Sequence, residues 1–371
     1  MKTITFTLLA TFLFAGCASS NVEPLRSSAD LRILTEEEKR VWSEADNFDL
    51  SMRNGGHTYE STTATNYLQG IMDKLFPEFR GTIKVRIANS PQLNAFALPN
   101  GVVYFNLGLL ARLDNEAQLA TVLAHESAHF ILKHGYKQRQ SLKNSAAFGF
   151  FVSEILAMSS TYGYSRDLER EADMIAYQQL GKAGYDTHEA DKAFKHLADE
   201  AEALDEKEPF FFSSHPKLEE RIEVYQEMNK NKKPGGEINK QRYDQNIGPL
   251  RIACLESDLS MDRYKSVLLV LGNKKRLAEY PPQARFYLAE AYQRRNDKGD
   301  EQLALTAYQT STNTAPGFAP SYRALGMYHL KKKEYGKAET YFAKYLQLAP
   351  KAPDLDYVKN YYAMSKKGSA K

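Results

Sequence analysis

The chain has 371 residues, 43% of them hydrophobic and 26% charged, an ordinary globular composition long enough for two domains with cores of their own. A net charge of +3 over this length gives no reason to expect a nucleic-acid partner, and that class is excluded. With only Cys17 and Cys254 available, no disulfide framework can form, and none at all if Cys17 is acylated.

Residues 1–16 read as a lipoprotein signal peptide: Lys2, an apolar run from Ile4 to Phe14, then Ala15 and Gly16 before Cys17. A run of that length is too short to span a bilayer of about 30 Å. The ending Phe14-Ala15-Gly16-Cys17 resembles a bacterial lipobox, with Phe where Leu is usual, and implies a lipidated Cys17. Such an anchor would tether an otherwise soluble chain to a membrane, and Ala18 rather than Asp after the Cys points by analogy to the periplasmic face of the outer membrane. Residues 17–34 form the lipidated N-terminus and tether.

A first domain is expected over residues 35–229. Thr35 and Glu38 form a capping box that opens a helix. Thr82 to Ala88 alternates Ile83, Val85 and Ile87 with polar residues, as a half-buried strand does. Two further β-prone runs are split by Asn100-Gly101, a dipeptide suited to a tight hairpin, so a small antiparallel sheet is predicted.

The helix that follows contains TVLAHESAHFILKHG, residues 121–135. His125 and His129, four apart, project from one helical face, as two ligands of one ion must, and Glu126 beside them can serve as general base. His134 is rotated away and reads as a helix-end residue before a Gly135 cap. A His-Glu-x-x-His motif arises by chance in roughly one chain in a hundred of this size, so it needs support from elsewhere. A hydrolytic zinc takes three protein ligands, and YSRDLEREADMIAYQQLG offers the third: Glu169 as ligand, with Asp173 on the same face to hydrogen-bond the far nitrogen of a ligand histidine. His215, Tyr164 and Arg166 are candidate oxyanion donors. His188 and His196, in an acidic helical stretch, read as surface residues, and Cys254 as a small core residue. The apolar stretch 145–160 reads as a buried or capping helix beside the cleft or as a surface that touches membrane or a membrane-embedded substrate.

The ordered set NAFALPNG, HESAH, SRDLEREAD and SSHPKLEERI resembles the CAAX prenyl protease and HtpX-like family of zinc metalloproteases, most closely its periplasmic BepA and LoiP branch, over roughly residues 60–229. The resemblance implies one Zn2+ per chain on His125, His129 and Glu169, Glu126 as catalytic base and Asp173 as their paired aspartate. His215 matches a histidine implicated as a fourth, switch-like zinc ligand or gate. It also implies that Asn94 to Leu98 offers backbone groups to an extended substrate.

Residues 230–259, with NKNKKPGGEINK, read as a linker. Beyond it, over 260–371, Tyr322, Leu325, Gly326, Ala338, Phe342 and Pro350 fall at tetratricopeptide spacings, and a preceding unit ends at Pro316. Two clear repeats are too few to stand alone, so 260–280 should add a helix pair or the array should pack on the first domain. Eleven Lys or Arg against four Asp or Glu from Ser321 onward suit an acidic partner or anionic surface. The expected whole is an α+β, mainly helical chain: a zincin-type metalloprotease domain followed by an all-α repeat domain. The expected function is a lipid-anchored periplasmic endopeptidase acting on misfolded or mis-assembled envelope proteins, with the repeats recruiting substrate or outer-membrane assembly machinery. The alternative is a chaperone-like assembly factor for outer-membrane proteins whose zinc site is gated.

Overall fold

The computed structural model describes residues 22–143, 163–204, 215 and 218–370. Cys17, the signal peptide and the apolar stretch 145–160 lie outside the described residues.

Helix α1 (Glu36–Asn54) begins at the Thr35–Glu38 capping box, with both halves of the box made. After α2 (Thr62–Leu75) come β1 (Lys84–Ala88), β2 (Ala95–Ala97) and β3 (Val102–Asn106). Among the described residues these form one sheet in the order β1-β3-β2. The predicted antiparallel sheet is in fact mixed: β2 pairs antiparallel with β3, whereas β1 pairs parallel with it, Val85 opposite Val103. The β2–β3 hairpin folds so that β3 enters the middle and β2 becomes an edge, and apolar alternation in β1 carries no information about that sense. All five residues of β3 are buried, as befits the central strand. At the hairpin only Gly101 takes the left-handed backbone, at φ 83°. Asn100 instead turns inward, and its amide donates to Asp46 at 2.7 Å.

The chain then runs through α3 (Leu107–Arg112) into α4 (Glu116–Ile131), all of whose residues are buried. A helix apolar on nearly every face belongs in a core, and α4 packs against α2, β2, α6 (Arg166–Lys182) and α7 (Ala190–Leu204). Its successor α5 (His134–Lys143) starts only two residues later, because Lys133 adopts a left-handed φ of 54° and reverses the chain. His134 is therefore the first residue of a new helix rather than the last of the old one, contrary to the expected Gly135 cap. Helix α8 (Leu218–Asn229) closes this region against α6 and α7.

The linker expected over 230–259 is only partly a loop. Lys240–Ser260 is a helix, α9, whose Tyr243, Ile247, Leu250 and Cys254 are buried in the core that holds the sheet and α4. Their 4-3-4 spacing is a helical stripe that the polar run before it obscures. Further along, Leu255 and Leu259 of the same helix enter a second core with α10 (Tyr264–Leu271) and α12 (Ala284–Arg295), so α9 belongs to both. A helix pair does occur over 260–280, formed by α10 and α11 (Lys274–Glu279). The remaining helices, α13 (Asp300–Thr314), α14 (Ala319–Lys331), α15 (Tyr335–Leu348) and α16 (Leu355–Ser369), pack each on the next. A Cβ on Gly326 of α14 would meet the Phe342 ring of α15 at 2.6 Å, so this crossing requires glycine.

Candidate metal centre

Helix α4 supplies His125 and His129, α6 supplies Glu169, and His215 precedes α8; all four are buried. His125 Nε2 lies 3.0 Å from His129 Nε2 and 3.3 Å from His215 Nδ1. His215 Nδ1 is 3.0 Å from Glu169 Oε1, and His129 Nε2 is 3.6 Å from the same oxygen. One ligand atom from each of these four residues fits within 4.8 Å of the other three.

Those spacings test whether the group suits a metal. Four tetrahedral donors each 2.0–2.1 Å from a zinc ion stand about 3.3 Å apart, and the observed separations bracket that value. Glu169 Oε2 and Glu126 Oε1 are buried without a hydrogen bond among the described residues, facing only Arg221 Nη1 and His125 Nε2 at 3.3 and 3.5 Å and His215 Nε2 at 3.4 Å, so both keep lone pairs that an ion or its water could use. Imidazole lone pairs and a carboxylate converging at one point are a donor set for a divalent cation, and the mixture of nitrogen and oxygen favours zinc.

Around the cluster, charged partners hold each ligand in place. Asp173 Oδ1 faces His125 Nδ1 at 3.0 Å, which fixes the tautomer that leaves Nε2 free for an ion. Asp173 is itself held by Arg221, whose Nε and Nη2 donate at 3.0 and 2.8 Å, and by the Tyr225 hydroxyl at 2.9 Å. Arg221 lies over the Phe194 ring of α7, 4.0 Å from its centroid. Burial disfavours an ionised Asp173, but Arg221 and the His125 hydrogen bond outweigh it and hold its carboxyl below the usual range. In Glu169, likewise, His215 and Arg221 overcome burial and keep the carboxylate charged. Burial and Arg221 work against protonating His125, yet the Asp173 and Glu169 carboxylates raise it to about 9, so an ion binding at Nε2 would displace a proton from it.

His129 has a different support. Its Nδ1 lies 2.9 Å from His134 Nδ1, and His134 Nε2 lies 3.1 Å from Glu171. Burial lowers His134 to about 4, which keeps its ring neutral. Only one hydrogen-bond direction is then consistent: His129 Nδ1–H donates to His134, and His134 Nε2–H donates to Glu171. The sequence pattern had set His134 aside because it cannot ligate with the other two; its role lies one bond further out. Arg221 lies within the SSHPKLEERI stretch, but the sequence gives it no role, since it follows two exposed glutamates in LEER.

Glu126 is buried beside the cluster, 3.4 Å from His215 Nε2, and burial raises its carboxyl above the ordinary carboxylate range. Tyr164 stacks on His129 with ring centroids 4.0 Å apart, and burial and the nearby Glu126 and Glu169 keep its hydroxyl protonated. Arg166, by contrast, is exposed and faces Glu220 at 3.7 Å, away from the cluster. His188 and His196 are half-buried rather than solvated, each facing an aspartate: Asp186 and Asp114, both at 3.0 Å. Cys254 is buried, and burial raises its thiol far above the reactive range.

Comparison with known proteins bears on this same region. Residues 64–229 match the family described as Peptidase family M48. Over 155 residues the chain is 30% identical to the mitochondrial metalloendopeptidase OMA1 of Schizosaccharomyces pombe, covering 39% of this chain and 46% of that protein. Over 273 residues it is 24% identical to the beta-barrel assembly-enhancing protease of Yersinia pestis, covering 64% of this chain and 55% of the relative. To the protein of that name in Escherichia coli it is 29% identical over 157 residues, 37% of this chain and 32% of the relative. The chain thus spans about a third to a half of the length of these curated relatives. Over residues 64–229, which contain every group gathered at the cluster, this chain is similar to peptidase family M48.

Proposed function

We propose that the chain is an M48-type zinc metalloendopeptidase, with His125, His129 and Glu169 as resident ligands. The observation that carries this reading is the set of four buried residues whose donor atoms converge within 4.8 Å of one another, with Glu126 beside it. The ion, when bound, supplies Lewis acidity, polarising an amide carbonyl and making water acidic enough to lose a proton near neutral pH. Glu126, whose pKa is raised by burial, accepts that proton as the water oxygen bonds to the carbonyl carbon. It returns the proton to the amine nitrogen as the C–N bond breaks. The Tyr164 hydroxyl, held protonated on a ring stacked against His129, serves as a donor to the developing oxyanion. Asp173 and His134 keep the two helix histidines in the tautomers that face inward.

The finer reading follows the relatives' names and the N-terminal pattern. We propose a lipid anchor at Cys17, a position at the periplasmic face of the outer membrane, and envelope proteins that are misfolded or mis-assembled as substrates. The helices over 260–371, read as tetratricopeptide-like, serve as the platform for substrate or assembly machinery.

One observation favours the alternative of an assembly factor that cleaves rarely. His215 Nδ1 occupies the fourth corner of the donor set, 3.3 Å from His125 and 3.0 Å from Glu169, where a hydrolytic site needs room for water. In the hydrolase reading His215 withdraws to admit substrate; in the alternative it stays. Zinc content and casein cleavage, measured for wild type, Glu126→Gln and His215→Ala, separate the two. The hydrolase predicts one zinc per chain, cleavage abolished in Glu126→Gln and raised in His215→Ala. Zinc without cleavage in either wild type or His215→Ala supports the assembly factor, and absence of zinc rejects both.

A further inference from the structure

From Leu25 onward the N-terminal segment is fastened to the fold. The Leu25 amide donates to the carbonyl of Ile131 at 2.8 Å, and its side chain, 5% exposed, enters the main core. Leu31 and Leu34 pack against that core as well. The short 3-10 helix Ser28–Ile33 is held to the segment before β1, where the Ser28 hydroxyl donates to the Glu78 carbonyl at 3.2 Å and accepts from the Thr82 hydroxyl at 2.8 Å. The chain is therefore pinned at Leu25 rather than swinging freely from the start of α1.

That pin sits beside the metal centre. Ile131 is two residues beyond His129 on α4, about 3 Å further along the helix axis. Leu25 also lines the same cavity as His129 and Tyr164. Seven residues, 18–24, separate Leu25 from Cys17, so the two stand at most about 28 Å apart even in a fully extended chain. A folded unit of about 200 residues is roughly 40 Å across. The leash is shorter than the body it holds, so an acylated Cys17 leaves the protein no room to turn its metal side away from the bilayer.

We infer that the metal centre faces the bilayer at short range, within about 40 Å of the lipid headgroups, and acts on polypeptide attached to that same surface. Sharing one surface through a short leash raises the effective concentration of an attached substrate at the site, whereas a chain free in the surrounding compartment gains nothing from it. The inference rests on the proposed acylation of Cys17, and on the hydrolase reading only where cleavage is concerned.

Trp42 is the sole tryptophan of the chain and lines the cavity that Leu25 lines, so energy transfer from it to dansyl-labelled headgroups reports how near this side lies to the lipid. Full-length acylated protein on vesicles of phosphatidylethanolamine and phosphatidylglycerol is compared with a variant carrying about 30 Gly/Ser residues inserted after Ala18, which lengthens the leash without touching the docked segment. The insertion is expected to lower Trp42 transfer and to cut the preference for lipid-coupled over free casein by about tenfold, with zinc content unchanged. Leu25→Asp, which releases the pin, should move both readouts in the same direction. Equal transfer in the two acylated proteins, or a preference for lipid-coupled casein no greater with the short leash than with the long one, would overturn the inference. If mass spectrometry finds no acyl group on Cys17, the anchor reading fails and the inference with it. Transfer that the insertion lowers, with neither casein cut even when His215→Ala is added, would keep the orientation and reject the hydrolase.

Discussion

At the level of single residues, the histidines on α4 are distinguished by what stands behind them. His125 leans on an ionised Asp173 that Arg221 and Tyr225 anchor, while His129 leans on neutral His134 and, through it, on Glu171. Removing such a partner commonly weakens metal affinity ten- to a hundredfold. We expect His134→Ala to weaken zinc binding within that range, measured by chelator competition, and Glu171→Gln to weaken it less, because a neutral amide oxygen still accepts from His134. Full zinc affinity in His134→Ala would remove the assigned role. The convergence of His125 and His129, two of the proposed ligands, was legible in the sequence because helical spacing brings i and i+4 to one face. The supporting roles of His134 and Arg221 were not, although both lie in the quoted stretches, since their contacts come from the chain reversal at Lys133 and from the packing of α8 on α6, neither of which has a local signature.

Among elements, α9 carries the largest departure from the sequence reading. Asn229 to Gly236 is polar and loop-like, and that character was extended too far; the apolar stripe at 243, 247, 250 and 254 is helical once the loop is ended at 239. An ionic junction pins the helix. Arg112 of α3 is buried and donates to Glu200 of α7 at 2.8 Å and to Asp258 of α9 at 3.1 Å. Removing one partner from a buried network strands the others, so Asp258→Ala should destabilise the protein by about 3–5 kcal/mol in urea unfolding, and a loss under 1 kcal/mol would indicate that water reaches Arg112. Nearby, burial opposes ionisation of Asp114, but His196, Arg276 and Lys240 lower it to about 2 from an ordinary 3.8. A carboxyl depressed on folding stabilises above its unfolded pKa and loses that stabilisation as pH falls from 3.8 through about 2. Asp114→Asn should therefore flatten the stability profile across that window, modestly and less in high salt, because the carboxylate is 40% exposed.

On the scale of the whole molecule, the mainly helical α+β character, the predicted strands and the helix pairs beyond 260 could be read from periodicity, whereas the parallel sense of β1 and the attachment of α9 are long-range facts. That attachment separates two boundaries that are easily treated as one. The residues gathered at the candidate metal centre end by 229, but the core beneath them is completed by Tyr243, Ile247, Leu250 and Cys254. A fragment stopping at 229 would bare an apolar trough under the sheet and α4, and it is expected to aggregate where one reaching 295 remains soluble. Conversely, a single cut in the loop between Asn229 and Lys240 should leave two polypeptides that elute together and share one cooperative melting transition, because α9 remains as the keel to which both halves are fastened.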